Sequence, residues 1–547
     1  MINLIPFKTN SEEFKVAIYL LEKYAKNYPD GKACVVSFFE DTKLPGDAYR
    51  VEVKDDSILV YGNTSVSFNA AVGHLVRHQD DSIKSQTVTF NSDFRSVYFA
   101  NHFYNYYHAA PVEEVCEYIE TLALWGQSVL CLWFDMHHFE SISSPEASAM
   151  LDKMKTLFKK AKSLGMKTSL TRLANEYYVG ADKSALAENS ADDGRYKFKL
   201  SGYYYTELCP SVKAGENLIL SSLDEIMESL SSVGLDYIQL WPYDQGGCTC
   251  DKCYPWGSNG FYKISKKSAR VVKKHFPDAK IILSCWRFGT FTDGEWEGIL
   301  PLLKEDGDWI DMLMVDIDAY IPDELHSLNK PIVSFPEISM YHATPWGGYG
   351  ANPFPKALSK QFIETNSFCR GGSLYSEGIF EDINKAFALE LMRNPYVDPK
   401  QTAYEYCGYH FGYEYAEALA DILMRLEETL DRKTYRADGS PSDYPVGEVR
   451  ELHRYHIYNS DNVEEIYKDF KAIDENIPPE IKEDHRYKSI YARVCGDMAL
   501  LKNGGFPSDE SDEIYIPLAK AYHAEKAYYF VSPITRESIL ANRGEGI

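Results

Sequence analysis

The sequence predicts an α/β protein whose centre is a (β/α)8 barrel, preceded by a small α/β domain and followed by a helical region, and three observations lead there. The 547 residues exceed what one ordinary core can use, and at ~100–200 residues per domain they imply two to four units. Between Phe94 and Pro395, eight short apolar runs alternate with amphipathic stretches, the pattern of parallel strands buried on both faces and joined by crossover helices. Beyond Pro395 the strand pattern stops and helical periodicity takes over. The expected units are residues 1–92, 93–395 and 396–547. An open, doubly wound sheet is the alternative for the middle one.

The elements follow in order. In the first unit a helix is expected over Glu12 to Tyr28 and a strand over Ala33 to Phe39. YRVEVKDDSILVYG then alternates with period two on either side of Asp55-Asp56, which reads as a hairpin, and SFNAAVGHLVRH reads as a helix. The eight barrel strands are RSVYFANH, SVLCLWFD, KTSLTRLANE, DYIQLWPYD, KIILSCWRF, DMLMVDID, PIVSFPEIS and GGSLYSEG. Each is followed by a helical stretch, from PVEEVCEYIETLALWG after the first, through the short PDELHSLN after the sixth, to EDINKAFALELMRN after the eighth. In the tail, YEYCGYHFGYEYAEALADILMRLEETL and SIYARVCGDMALLKNG read as helices that pack on the barrel or form a homodimer contact.

Composition narrows the function. With 57 Lys and Arg against 81 Asp and Glu, the net charge of −24 repels nucleic acid and anionic membranes, so neither is an expected partner. Aromatic residues make up 14% of the chain, a content compatible with stacking against sugar C–H faces, although most aromatics in any chain belong to core or rim. No stretch is apolar enough to span a bilayer, and MINLIPFKTNSEEFKVAIYLLEKYAK has no secretory pattern. Eleven cysteines, an odd number scattered over a large chain, do not suggest a disulfide framework, and a cytoplasmic location is the simplest expectation.

In a closed barrel the chemistry gathers at the C-terminal strand ends, where the βα loops converge on one pocket. Those ends carry Asn101 and His102; Asp135, His137 and His138; Arg172, Asn175 and Glu176; Trp241, Tyr243 and Asp244; Trp286 and Arg287; Asp316 and Asp318; Glu337 and His342; and Tyr375, Ser376 and Glu377. Carboxylates close six of the eight strands. Crowded buried acids repel one another unless some keep a proton or bind ligand hydroxyls, a cost that functional sites tolerate. Trp241, Trp256, Trp286 and Trp346 are placed to ring the pocket as sugar-stacking walls.

Glycosidic bond cleavage uses such an arrangement, one carboxylic acid protonating the leaving oxygen while a second carboxylate attacks or activates water. Asp244 and Glu337 are the expected catalytic pair and Glu377 the rival. Asn101, His102, Asp135, His137, Glu176, Trp241, Tyr243, Trp286, Arg287, Asp316, Asp318, Trp346 and Tyr375 are the expected substrate-binding residues. Directly after Asp244, the loop QGGCTCDKC sets Cys248, Cys250 and Cys253 at C-x-C-x-x-C spacing. With Cys285 as a fourth ligand these would hold a structural zinc; the alternative is reduced thiols packing a long loop. No cofactor is expected for catalysis itself.

The hairpin YRVEVKDDSILVYG, the helix AAVGHLVRH after it, and FRSVYFANHFY together resemble the barrel glycosidases that carry a small α/β domain ahead of the barrel, the β-hexosaminidases of glycoside hydrolase family 20 and the α-glucuronidases. That resemblance spans roughly Tyr49 to Pro395. It implies an exo-acting glycoside hydrolase working on oligosaccharides or glycoconjugates, and a sugar-binding role for Arg95 at the start of the first barrel strand. It also implies the Asp-Glu pair of substrate-assisted hexosaminidases after strand four, where this chain has Asp244-Gln245. A uronate substrate would call on Arg95, Arg172 and Arg287. The competing readings are a sugar-binding protein without catalysis and a metal-dependent hydrolase or lyase on the same barrel.

Overall fold

The computed structural model of the protein describes residues 1–8, 11–103, 105–188, 194–197, 206–243, 247–317, 319–338, 351–429, 431–435, 454–456, 460–504 and 508–523. Its centre is a closed parallel barrel of eight strands, Arg95–Phe99, Val129–Trp133, Lys167–Leu173, Tyr237–Trp241, Lys280–Ser284, Met312–Val315, Ile332–Ser334 and Cys369–Ser376, called strands one to eight. Strand eight pairs in parallel with strand one, Tyr375 opposite Tyr98, and this closure excludes the open sheet.

Strand residues alternate between two cores, as a two-residue side-chain period requires. Val97, Phe99, Leu130, Leu132, Ile238 and Leu240 face the surrounding helices. Tyr98, Val129, Cys131, Trp133, Tyr237, Trp241, Met314 and Tyr375 fill the barrel. Within the barrel, a polar layer joins neighbouring strands and crosses between opposite ones: the Gln239 amide donates to the Ser169 hydroxyl (3.2 Å) and accepts from Thr171 (3.3 Å), Ser373 donates to Ser96 (3.1 Å), and Gln239 reaches across to Ser373 (3.4 Å). The outer layer includes helices Val112–Leu124, Pro145–Ser163, Lys213–Ser229, Tyr262–His275, Glu295–Asp306, Pro355–Thr365 and Asp382–Arg393. After strand six the expected helix is only a 3-10 segment, Asp323–Leu328, too short to bury a full face.

The N-terminal sheet contains the expected hairpin, with Tyr49–Lys54 antiparallel to Ser57–Gly62. It is larger than the sequence reading, because Ile2–Pro6 adds in parallel to Lys32–Glu40 and Gln86–Val88 extends the other edge. Helix Ser65–Val76 carries this domain onto the barrel. Gly73 makes that approach possible, since a Cβ there would lie 1.7 Å from the Leu124 carbonyl oxygen. The tail holds helices Pro399–Phe411, Tyr413–Leu426, Ser460–Asp474, His485–Lys502 and Asp509–Ala521. It also holds an antiparallel pair, Asp431–Tyr435 with Arg454–His456, where no strand was expected. No helix among the described residues is long and apolar enough to cross a membrane.

Candidate active site at the C-terminal rim of the barrel

Period-two geometry puts Tyr98, Trp133, Trp241 and Tyr375 on the inner face near the C-terminal ends of strands one, two, four and eight. Their rings meet. Trp286 lies 5.5 Å from Trp241, Trp241 4.6 Å from Phe335, and Phe335 5.7 Å from Tyr375, centroid to centroid. Tyr98 is 5.7 Å from Tyr375 and stacks at 5.9 Å with His102, which stacks in turn at 4.2 Å on Trp133. The result is a continuous aromatic floor across the barrel mouth. Tyr98, Trp133 and Phe335 were not among the expected site residues. The signal existed, because Trp133 and Phe335 each stand two positions before a rim acid, Asp135 and Glu337, and so share its face.

Acidic groups rise from both sides of this floor. On the strand-eight side the Tyr375 hydroxyl donates to Glu377 Oε1, and the Glu337 backbone forms a parallel bridge with that of Tyr375. Burial pushes the Tyr375 phenol well above its usual pKa, and the negative charges of Glu377 and Glu337 push it further, so it stays a donor. On the other side Asp135 Oδ1 lies 2.9 Å from His137 Nε2, and Asp135 Oδ2 3.2 Å from His138 Nε2. Glu176 accepts the Trp133 indole N–H at 3.1 Å and lies 3.8 Å from His137 Nδ1. Burial raises the Glu176 carboxyl to about 8, against the pull of Arg172 and helped by Asp135. Burial holds His102 and His137 well below the usual histidine pKa. This cluster therefore combines a protonated acid with neutral imidazoles at neutral pH.

A second set of groups fixes Glu377 in place. Glu381 Oε1 accepts from the Ser376 hydroxyl (2.7 Å) and from the backbone N–H groups of Glu377 (2.6 Å) and Gly378 (2.8 Å). Lys385 faces Glu381 at 3.7 Å and donates to the Gly378 carbonyl and, at 2.8 Å, to the Tyr118 hydroxyl. From the helical tail, the Tyr522 hydroxyl donates to the Glu377 carbonyl at 2.7 Å.

The structure thus brings His102, Asp135, His137, Glu176, Trp241, Trp286, Glu337, Tyr375 and Glu377 to one mouth. Arg287 lies on the rim over Trp286, 4.8 Å from its ring, and with Asp316 and Tyr320 it borders an open groove of about 620 Å³. Asp244, Asp318, His342 and Trp346 lie outside the described residues.

Several expectations are corrected. Arg95 begins strand one at the opposite end of the barrel, donating to the carbonyls of Ser92 and Gly126 and to Asp47 of the N-terminal domain at 2.8 Å. It docks that domain and cannot reach a sugar. Arg172 points outward, to the Ile219 carbonyl (3.2 Å) and the Ser222 hydroxyl (3.0 Å) of the neighbouring helix. Tyr243 is fully buried, its hydroxyl bonded to Glu295 and its ring stacked on Phe291 at 4.6 Å, away from the floor. Asn101 uses its amide on the Trp133 backbone, donating at 2.9 Å and accepting at 3.1 Å. Trp256 is likewise buried, donating to the Pro242 carbonyl. Cys285 does not join the loop cysteines; the fourth thiol beside Cys248, Cys250 and Cys253 is Cys209.

No protein-family model matches the chain, and no curated protein matches its sequence. Solved structures do match its fold. A family GH115 4-O-methyl-α-glucuronidase with specificity for decorated arabinogalactans superposes with a TM-score of 0.63 at 10% identity, covering 100% of this chain and 80% of that one. A GH138 enzyme targeting pectin rhamnogalacturonan II gives 0.57 at 11%, covering 95% and 74%. A family GH89 enzyme from Clostridium perfringens, bound to its substrate GlcNAc-α-1,4-galactose, gives 0.57 at 12%, covering 89% and 62%. At these identities the likeness is one of fold.

Proposed function

We propose that the protein is an exo-acting glycoside hydrolase that removes an uncharged sugar from an oligosaccharide or glycoconjugate. The observation that carries this reading is the pair of strand-end acids at the edge of an aromatic floor: Glu377 accepts the Tyr375 hydroxyl, and Glu337, whose backbone pairs with that of Tyr375, adds its charge to the same phenol's surroundings. Such a floor offers apolar area to a sugar ring at low entropic cost, and flanking carboxylates supply the two proton and charge roles of glycosidic cleavage. In this reading Glu337 is the nucleophile or base, Asp244 the acid, and Glu377 the carboxylate that orients the Tyr375 hydroxyl toward the reacting centre.

The arginines favour an uncharged sugar. A uronate needs a cation, and Arg95 and Arg172 are both committed elsewhere, which leaves Arg287 alone of the three expected. The substrate bound by the GH89 neighbour, GlcNAc-α-1,4-galactose, is likewise uncharged.

The test is a panel of aryl glycosides, N-acetylglucosaminides and glucuronides among them, with three variants. E337Q is expected to lose more than about 10³-fold in kcat, since the chemical step goes with it. D244N is expected to retain far more activity on nitrophenyl than on alkyl glycosides, because a good leaving group needs little protonation. E377Q should fall between. Turnover of glucuronides in preference to neutral sugars would remove the substrate assignment. Sugar binding without turnover in the wild type would favour a non-catalytic binding protein.

A further inference from the structure

The cysteine cluster lies beside the proposed active site and takes no part in it. Cys209 follows the short strand pair after strand three; Cys248, Cys250 and Cys253 lie on the loop after strand four. The four sulfurs lie within 4.8 Å of one another. Cys209 Sγ is 3.7 Å from Cys250 Sγ and 3.9 Å from Cys253 Sγ. A tetrahedral zinc with Zn–S bonds of about 2.3 Å has sulfur–sulfur edges of about 3.8 Å. These separations are far above a disulfide bond length of about 2.05 Å, and all eleven cysteines are free thiols. Sulfurs in ordinary contact approach equally closely, so it is the convergence of four thiols from two loops within 4.8 Å of one another, and not any single separation, that matches a metal tetrahedron.

The surrounding backbone is built to converge there. Asn175, at the end of strand three, donates to the Leu208 carbonyl (3.0 Å) and the Gly247 carbonyl (2.8 Å) and accepts from the Gly247 N–H (3.0 Å). One amide thus pins the residues immediately before Cys209 and before Cys248. The N–H groups of Cys253 and Tyr254 both reach the Cys250 carbonyl at 3.0 Å, closing the turn that returns Cys253 to the cluster. Cys209, Cys248 and Cys253 are buried and Cys250 half-buried, so a bound ion would exchange little with solvent.

We propose that Cys209, Cys248, Cys250 and Cys253 bind one structural zinc ion that locks the loops after strands three and four together. All four positions of the tetrahedron are then thiolates, leaving none open for substrate, so the ion has a structural and not a catalytic role. Each cysteine that is still a thiol gives up its proton to solvent as its sulfur binds the ion, and no redox change is involved. In the sequence, Cys248 follows the proposed acid Asp244 by four residues.

The experiment is elemental analysis of the full-length protein purified under reducing conditions without added metal, with thiol titration before and after a mercurial reagent. The expected result is about one zinc per chain, released only when the thiols are blocked, and Cys285→Ser should keep it. C209S should bind zinc at least tenfold more weakly in competition with a chromogenic chelator. Should C209S fail to fold, cobalt added to chelator-stripped wild type should give the strong visible absorption of a tetrahedral thiolate complex. A wild type that stays metal-free after zinc is supplied, a disulfide in the cluster, or iron in place of zinc would each overturn the proposal. None of these readouts depends on glycoside turnover.

Discussion

At the scale of single residues, Glu176 shows how the barrel mouth tolerates so many acids. It is almost fully buried, beside Asp135 and held by the Trp133 indole, and burial keeps its proton until about pH 8. An unfolded glutamate releases its proton near pH ~4.3. Below that value both states are protonated and the contribution is fully present. Between the two values the native state holds a proton that the unfolded chain has lost, so stability falls as pH rises, by at most about 1.4 kcal/mol per pH unit, and levels off above about 8. E176Q is expected to flatten that slope. Denaturant midpoints at pH 5 and pH 8 check it, and parallel pH profiles in the two proteins would mean that Glu176 is ionised throughout.

The same scale shows what the sequence made legible. Rim acids could be named because a strand's last residues must face the loops, whatever the packing. Arg95 could not, because an arginine at a strand's beginning lies at the other end of the cylinder, and its role depends on Asp47 arriving from another domain. Cys209 was missed for a related reason. It is 41 residues from Cys250, and only the folded path of the intervening chain makes them neighbours.

At the scale of elements, strand eight and its following helix are anchored by a buried ionic knot. Asp382 accepts from Tyr118, from Tyr406 at 2.8 Å and from Arg486 of the tail helix at 2.7 Å. Burial alone would raise the Asp382 carboxyl, but Arg486 overrides it and holds the group well below the usual carboxylate range. Its contribution is therefore present above the unfolded aspartate value and lost only in strong acid. D382N should cost about 3–5 kcal/mol, because it takes from buried Arg486 its nearest counter-charge and leaves only Asp484, 3.7 Å away. Removing both charges in D382N/R486M should cost less than the single change. Thermal and denaturant unfolding of the set checks this, and additive losses would show that the pair is not coupled. The periodicity of both helices was readable; their docking through one aspartate was not, since a charge inside a helical stretch ordinarily marks its solvent face.

At the scale of the whole molecule, the helical tail reaches the proposed active site through Tyr522. The last described helix, Asp509–Ala521, delivers this ring onto Phe380 at 4.5 Å and its hydroxyl onto the Glu377 carbonyl at 2.7 Å. Gly378 must stay small for this to happen, because a Cβ there would lie 2.5 Å from the Tyr522 ring and 2.9 Å from Tyr106 Cβ. The tail is thus a positioning element for Glu377, and through it for the Tyr375 hydroxyl beside Glu337. Y522F leaves a buried carbonyl without this donor, a loss of about 1–3 kcal/mol. If Glu377 drifts by a fraction of an ångström, that loss falls on the reacting geometry more than on substrate affinity. Y522F should therefore lower kcat by about 5- to 100-fold with KM changed less than twofold, and G378A should do at least as much. K520A, an exposed change on the same helix, should leave both constants alone. Steady-state kinetics on the sugar found by the aryl glycoside panel, with melting temperatures alongside, separate the cases: if kcat in Y522F tracks only the folded fraction, the tail supports the barrel without tuning its site.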